Sequence, residues 1–198
     1  QGMSEDCLYL NIWSPAADNR RRPVLFWIHG GFFMTGSGSD PRFNGALLAA
    51  NQDVVLVTIN YRLGPFGFLQ LRDIGGGRYA DSGNCGILDQ VAALKWVRDN
   101  IAAFGGDPER ITIFGQSAGG RSVGLLLSMP SAEGLFQRAI IHSGALRTIG
   151  TAEVAGKIAK PMMERLGVDK VEQLQEVAAD KLMEAAPPPS AGDGVGPN

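Results

Sequence analysis

Cysteine and histidine are scarce in this chain, and their scarcity argues against two kinds of scaffold. The 198 residues include only two cysteines, Cys7 and Cys85, and two histidines. Two cysteines are too few for a disulfide-rich domain, and they form neither a C-x-x-C pair nor part of a histidine cluster that could bind zinc. We therefore interpret both thiols as structural and expect no metal ion or other cofactor.

Long apolar runs and clustered positive charge are also missing. No run approaches the roughly 18 to 20 apolar residues that cross a bilayer, so no transmembrane segment is predicted. The formal net charge is -2, and the one short basic run is Arg20-Arg21-Arg22. This charge pattern offers no footprint for nucleic acid or an anionic membrane, and neither is expected as a partner. Disorder is not expected either, because 44% of the residues are apolar.

Glycine, by contrast, is abundant. The 27 glycines are roughly twice the usual share of a globular protein. Many of them stand together where turns are predicted, namely at Gly30-Gly31, Gly75-Gly76-Gly77, Gly105-Gly106 and Gly119-Gly120. We therefore expect tight turns that carry function.

Four short apolar runs alternate with helical patterns along the chain. The runs, at 24–28, 54–59, 111–114 and 139–141, have the length of strands buried on both faces. Strands that alternate with helices imply parallel crossovers, so we predict an α/β fold with a mostly parallel sheet and helices on both faces. The helical patterns lie at 45–50, 87–104, 125–127, 154–166 and 171–182.

Two features near the end of the chain carry separate expectations. Pro161 interrupts the pattern at 154–166 and is expected to kink or split that helix. Residues 187–198 are rich in proline and glycine and are predicted to form flexible coil.

The pattern Gly115-Gln116-Ser117-Ala118-Gly119 stands between a predicted strand and a predicted helix. That context is the one a nucleophile elbow requires. Glycines flank such a serine because larger side chains would collide with the neighbouring strand and helix, and the helix N-terminus behind it favours developing negative charge. An ordinary glycine-rich turn is the alternative interpretation.

A second loop fits the same chemistry. Acyl transfer needs backbone N–H donors aimed at the oxyanion, some of them from a loop after an earlier strand. The segment His29-Gly30-Gly31-Phe32 follows the first apolar run and is a candidate for that loop. A simple glycine turn remains the alternative.

The motifs together resemble one family. Over nearly all of residues 3 to 146 the chain is similar to the type B carboxylesterase/lipase family, the cholinesterase-like branch of the α/β-hydrolases. Besides the elbow, the segments that carry the resemblance are Ser4-Glu5-Asp6-Cys7-Leu8-Tyr9-Leu10-Asn11, Trp27-Ile28-His29-Gly30-Gly31, Asn60-Tyr61-Arg62-Leu63-Gly64, Gly83-Asn84 through Leu88-Asp89-Gln90, Phe104-Gly105-Gly106-Asp107-Pro108 and Ser143-Gly144.

The resemblance implies a fold and a reaction. The fold would be a partial α/β-hydrolase domain over residues 1–198, and the reaction the hydrolysis of small-molecule carboxylic esters through an acyl-enzyme on Ser117. Gly31, Phe32 and Ala118 would donate their N–H groups to the oxyanion. Phe32 departs from the family's small residue, which would narrow or re-aim the acyl pocket. Gln116 replaces a frequent glutamate and weakens the case for a cationic choline substrate.

The resemblance also implies structural roles. Cys7 would be half of the family's first disulfide, with a partner upstream of Gln1. Arg62 and Asp89 would form an ion pair, and Ser143 would stand beside the triad.

The resemblance implies that the family's catalytic acid and histidine lie beyond Asn198. His29 is then expected to have a structural role. His142 is expected near the elbow but without a catalytic role. A noncatalytic adhesion or scaffold domain and an inactive fragment remain alternative functions. The intact serine favours the enzyme.

Overall fold

The computed structural model describes residues 4–144 and 151–187. Five strands form one sheet in the order β1-β3-β2-β4-β5. β1 is antiparallel to β3, and the other neighbouring pairs are parallel, which confirms the mostly parallel sheet. The strands are β1 (Leu10–Trp13), β2 (Arg22–Ile28), β3 (Val55–Ile59), β4 (Gly106–Gln116) and β5 (Arg138–His142). The four predicted strands are present, and β1 is a fifth strand that was not predicted from the sequence.

Each predicted helical pattern contains a helix, and two further short helices, Gly64–Phe68 and Arg72–Gly75, were not predicted. They are α1 (Ala46–Gln52), α2 (Gly64–Phe68), α3 (Arg72–Gly75), α4 (Cys85–Asn100), α5 (Ala118–Leu126), α6 (Ala152–Leu166) and α7 (Ala179–Ala185). The last pattern is divided into a 3-10 helix, Val171–Glu176, and α7.

Pro161 does not split α6, which continues through it as one helix. Proline removes one backbone hydrogen bond from a helix interior. Ala159 and Met162 on either side are fully buried, and their packing offsets that loss. Of the two expected effects of Pro161, the split is therefore absent, and the kink stays a prediction.

One face of the sheet carries the main core. Val24, Phe26 and Ile28 alternate along β2 with half-buried residues and are fully buried themselves. They pack in one cluster with the apolar face of α4, including Ile87 and Leu94. Every second residue of β2 and one face of α4 thus pack in the same layer.

The opposite face of the sheet is covered near β2 and β3. Trp27 tilts against Phe43 at 5.1 Å and against Phe114 at 4.8 Å between ring centroids. Gly45, just before α1, stands directly against the Leu56 side chain. Since these contacts are made by the residues that alternate with the main core, elements of the chain cover both faces, as predicted.

A second, smaller core joins the C-terminal elements. Leu69 packs there with Ala159 and Met162 of α6, Leu174 of the 3-10 helix and Leu182 of α7. In the described part of the chain, none of the helices has the length and apolar character needed to span a bilayer.

The sheet ends on β5. Ile140 and Ile141 are 44% and 43% exposed, although their sequence is that of a buried strand. Within the described ranges no strand pairs with the outer side of β5. The predicted coil at 187–198 lies, from residue 188 on, outside the described residues.

Candidate active site

Ser117 lies in a strained turn between β4 and α5. Its φ and ψ are 57° and -118°, a combination that residues with a side chain rarely adopt. The Ser117 N–H donates to the His142 carbonyl at 2.9 Å, and the Arg121 N–H donates to the Ser117 carbonyl at 2.9 Å. The turn is therefore held by both β5 and α5, in the strand–turn–helix arrangement predicted from the sequence.

The flanking glycines are required by close backbone contacts. A Cβ on Gly115 would lie 2.5 Å from the Gly119 carbonyl carbon and 2.9 Å from the Ile28 oxygen, and a Cβ on Gly119 would run into the Ile28 oxygen itself. A Cβ on Gly144 would lie 2.6 Å from the Ser117 oxygen. These contacts agree with the steric reason given for the pattern.

The loop after β2 approaches the same turn. A Cβ on Gly30 would lie 3.3 Å from Ser117 Cβ. Gly31 and Phe32 have φ values of 119° and 57°, and the N–H groups of Met34 and Thr35 close the loop on the Gly31 carbonyl at 2.9 and 3.0 Å.

Three backbone amides of the loop and the turn are available as donors. In the described part of the chain, the N–H groups of Gly31 and Phe32 donate to no other residue. Ala118 begins α5, so its N–H has no acceptor within the helix. The structure thus brings together the loop and the turn that carry the four predicted site residues.

Two adjacent phenylalanines in this loop have opposite environments. Phe33 is 1% exposed and tilts against Phe68 with ring centroids 5.0 Å apart. Phe32 is 63% exposed. Phe33 therefore anchors the loop and Phe32 is presented to solvent. Phe33 was not singled out from the sequence, and the paired aromatics were the available signal.

His29 supports the loop. Its ring is buried, stacks on Tyr61 at 4.5 Å between centroids and places Nδ1 2.8 Å from the Gly30 carbonyl. The Tyr61 hydroxyl donates to the His29 carbonyl at 2.8 Å. Burial lowers the pKa of His29, which favours a neutral ring. These contacts agree with the structural role expected for it.

His142 and Gln116 are paired in register across β4 and β5. The His142 backbone touches the turn, while its side chain is exposed. Among the described residues no hydrogen bond joins its ring to Ser117. The exposed Gln116 places Oε1 3.2 Å from the position of a Gly30 Cβ, so an uncharged amide stands beside the loop.

The predicted ion pair of Arg62 and Asp89 is present. Arg62 donates from Nε and Nη2 to the two carboxylate oxygens at 2.8 and 2.7 Å, and its backbone N–H adds a third bond at 3.0 Å. The pair fixes the segment after β3 to α4. Ser143, expected beside the triad, is exposed at a φ of 48°.

The cysteines have the character of structural thiols. Cys7 and Cys85 are free and partly buried. Burial raises the pKa of both thiols, which disfavours the reactive thiolate. Across residues 4–144 and 151–187, no group of three His, Cys, Asp or Glu side chains could hold a metal ion.

Comparison with known proteins identifies relatives over almost the whole chain. The model of the carboxylesterase family matches residues 1–192. The para-nitrobenzyl esterase of Bacillus subtilis is 51% identical over 185 residues, which are 92% of this chain and 37% of that protein. The acetylcholinesterase of Gallus gallus is 51% identical over 155 residues, 76% of this chain and 20% of that protein.

Solved structures give the same result. A carboxylesterase of Geobacillus stearothermophilus superposes with a TM-score of 0.93 at 54% identity, over 98% of this chain and 41% of that one. The chain therefore spans about two fifths of the length of the para-nitrobenzyl esterase and of the Geobacillus carboxylesterase.

Proposed function

This chain belongs to the carboxylesterase family, and we propose that it is the part of a longer serine esterase that supplies the nucleophile and the oxyanion hole. The proposed substrates are small-molecule carboxylic esters. The strained conformation of Ser117, with three available amides in its turn and in the loop after β2, carries the proposal. The esterase names of its relatives support it.

The proposed reaction proceeds in two steps. Ser117 Oγ attacks the ester carbonyl carbon, its proton passes to a general base, and the oxyanion accepts hydrogen bonds from the N–H groups of Gly31, Phe32 and Ala118. The carbon–oxygen bond to the alcohol then breaks, and the alcohol leaves with that proton. Water hydrolyses the resulting acyl-enzyme by the same route and releases the acid.

The local electrostatics suit an oxyanion. Amides at the start of α5 point toward the turn, and a helix N-terminus carries partial positive charge. Gln116 adds no negative charge beside Ser117, so neutral esters are proposed in preference to cationic choline esters. The general base and its orienting acid are proposed to come from the rest of the longer protein rather than from His29 or His142.

The test is Ser117→Ala in the full-length enzyme. Hydrolysis of a short-chain aryl ester should fall by about 10⁴-fold or more, because the nucleophile and its partners act as a unit. The melting temperature should remain that of the unmodified protein, since alanine removes the hydroxyl without adding bulk. Undiminished turnover in the variant would overturn the proposed function.

A further inference from the structure

A buried hydrogen-bonded pair stands behind the turn that holds Ser117. Gln90 of α4 and Ser122 of α5 are both 0% exposed. Gln90 Nε2 donates to Ser122 Oγ at 3.1 Å, and Ser122 Oγ donates to the Ala118 carbonyl at 3.2 Å. The bonds thus lead from α4 to the first residue of α5, which directly follows Ser117.

The first turn of α5 needs such support because it is built from glycine. Gly119 and Gly120 follow Ala118, and glycine is a weak helix former. Side chains are excluded at both positions, since a Cβ on Gly119 would run into the Ile28 carbonyl and one on Gly120 would lie 2.8 Å from the His142 carbonyl. The turn cannot be held by its own side chains.

Stability alone does not explain a glutamine at position 90. The Gln90 Oε1 is buried and has no hydrogen-bond partner within the described residues. Burying an unpaired amide oxygen costs free energy, whereas an apolar side chain of similar size fills the same space without that cost. The polar side chain at this position therefore calls for a role other than packing.

We propose that Gln90 and Ser122 are positioning residues for the esterase site. By holding the Ala118 carbonyl they fix the first turn of α5, and with it the direction of the Ala118 N–H relative to Ser117 Oγ. This inference rests on the proposed function. Neither side chain touches the substrate, and both act through Ala118.

The experiment compares Gln90→Met, Ser122→Ala and the double variant in the full-length enzyme. For each single variant kcat for a short-chain aryl ester should fall about 10- to 100-fold, because small displacements of reacting groups have effects of that size. KM should stay within about twofold, since the ground-state contacts remain. The melting temperature of Gln90→Met should not fall. The double variant should lose no more kcat than the more strongly affected single variant, because Gln90 acts on Ala118 only through Ser122.

Ser128→Ala is the matched control. Ser128 Oγ donates to the Leu125 carbonyl at 2.8 Å, at the other end of α5, so its loss removes a similar bond away from the turn. We expect unchanged kcat. If Gln90→Met fails to fold, the kcat of Ser122→Ala still tests the proposal, because that substitution removes only one hydroxyl group.

Two results would overturn the inference. One is Ser117-dependent turnover that is unchanged in Gln90→Met and Ser122→Ala. The other is a loss of kcat that disappears when rates are divided by the fraction of folded sites, measured by titration with a fluorophosphonate. Turnover that persists in Ser117→Ala would instead overturn the proposed function, and the inference with it.

Discussion

The exposed ring of Phe32 lies on the loop that carries two of the proposed oxyanion donors. If the ring occupies space on the acyl side, Phe32→Ala in the full-length enzyme should raise kcat/KM for longer or branched acyl groups relative to acetyl esters. The gain should be graded, because each methylene accommodated in a pocket changes the activation free energy by about 1 to 3 kcal/mol. Rates on a series of aryl esters measure it.

The control for this prediction is Trp96→Ala, which removes another partly exposed aromatic ring, 41% exposed on α4. Its chain-length profile should match that of the unmodified enzyme. Phe32→Gly should give the same chain-length profile as Phe32→Ala. Its melting temperature should be higher than that of Phe32→Ala, since glycine accepts a φ of 57° at no steric cost. An unchanged profile in both Phe32 variants would show that the ring points elsewhere.

Asp18 gives the molecule a pH-dependent contact. Hydrogen bonds from Arg22, at 2.5 and 2.9 Å, hold the pKa of its carboxyl at about 2, below the ordinary 3.8. The folded state therefore binds fewer protons than the unfolded state, and stability falls as the pH drops from about 5 toward 2.

Asp18→Asn should flatten this acid-side loss of stability. The measurement is the urea midpoint of the full-length enzyme between pH 5 and pH 3. Arg22→Met should flatten it as well, because it removes the partner that lowers the pKa. A slope that is the same in all three proteins would refute the assignment.

At the scale of elements, the contact between α5 and β2 depends on Gly119. Because a Cβ there would meet the Ile28 backbone, Gly119→Ala should push the helix away from the strand and lower both melting temperature and turnover. We expect a loss of about 1 to 3 kcal/mol in the free energy of unfolding, the usual cost of overpacking.

Gly77→Ala is the comparison for Gly119→Ala. No atom lies within 4 Å of a Cβ at Gly77, so this variant should keep its melting temperature and its turnover. Equal effects of the two substitutions would mean that loss of glycine flexibility, rather than the close contact, sets the result.

The sequence predicted the elements that have a simple pattern and missed those that do not. β2 and β3 are short apolar runs, and the spacing in α4 is that of one helical face. β1 was not predicted because its four residues include the polar Asn11 and form the antiparallel edge strand of the sheet. The pattern at 171–182 was predicted as one helix, but Val177 and Ala178 adopt extended conformations without a glycine or proline to signal it.

The site was predictable where backbone geometry demands particular residues. The glycines around Ser117 and in the loop at Gly31 are visible in sequence because few other residues fit those contacts. The bond between Gln90 and Ser122 was not predictable, since it joins two helices at positions 32 residues apart and depends on how those helices pack.

At the scale of the whole molecule, β5 is an apolar strand with an exposed outer side. Such edges pair with other chains. We therefore expect the 198-residue chain, produced alone, to self-associate. We also expect it to lack esterase turnover, because under the proposed function the general base that moves the protons lies in the rest of the longer protein. Size-exclusion chromatography and an aryl-ester assay measure both properties.

Controls for the isolated chain are Ser117→Ala and His142→Ala. Any residual rate should be the same in the chain and in its His142→Ala variant. A monomeric chain with robust turnover that is lost in His142→Ala would contradict this prediction and make His142 the base.

The central claim is that Ser117 is the nucleophile of a serine esterase, and covalent labelling tests it most directly. The full-length enzyme is treated with a fluorophosphonate, digested and mapped by mass spectrometry. The account predicts one modified residue, Ser117, with loss of turnover in proportion to labelling and no label in Ser117→Ala. Complete inactivation with the label on another residue, or turnover that persists with Ser117 fully modified, would contradict it.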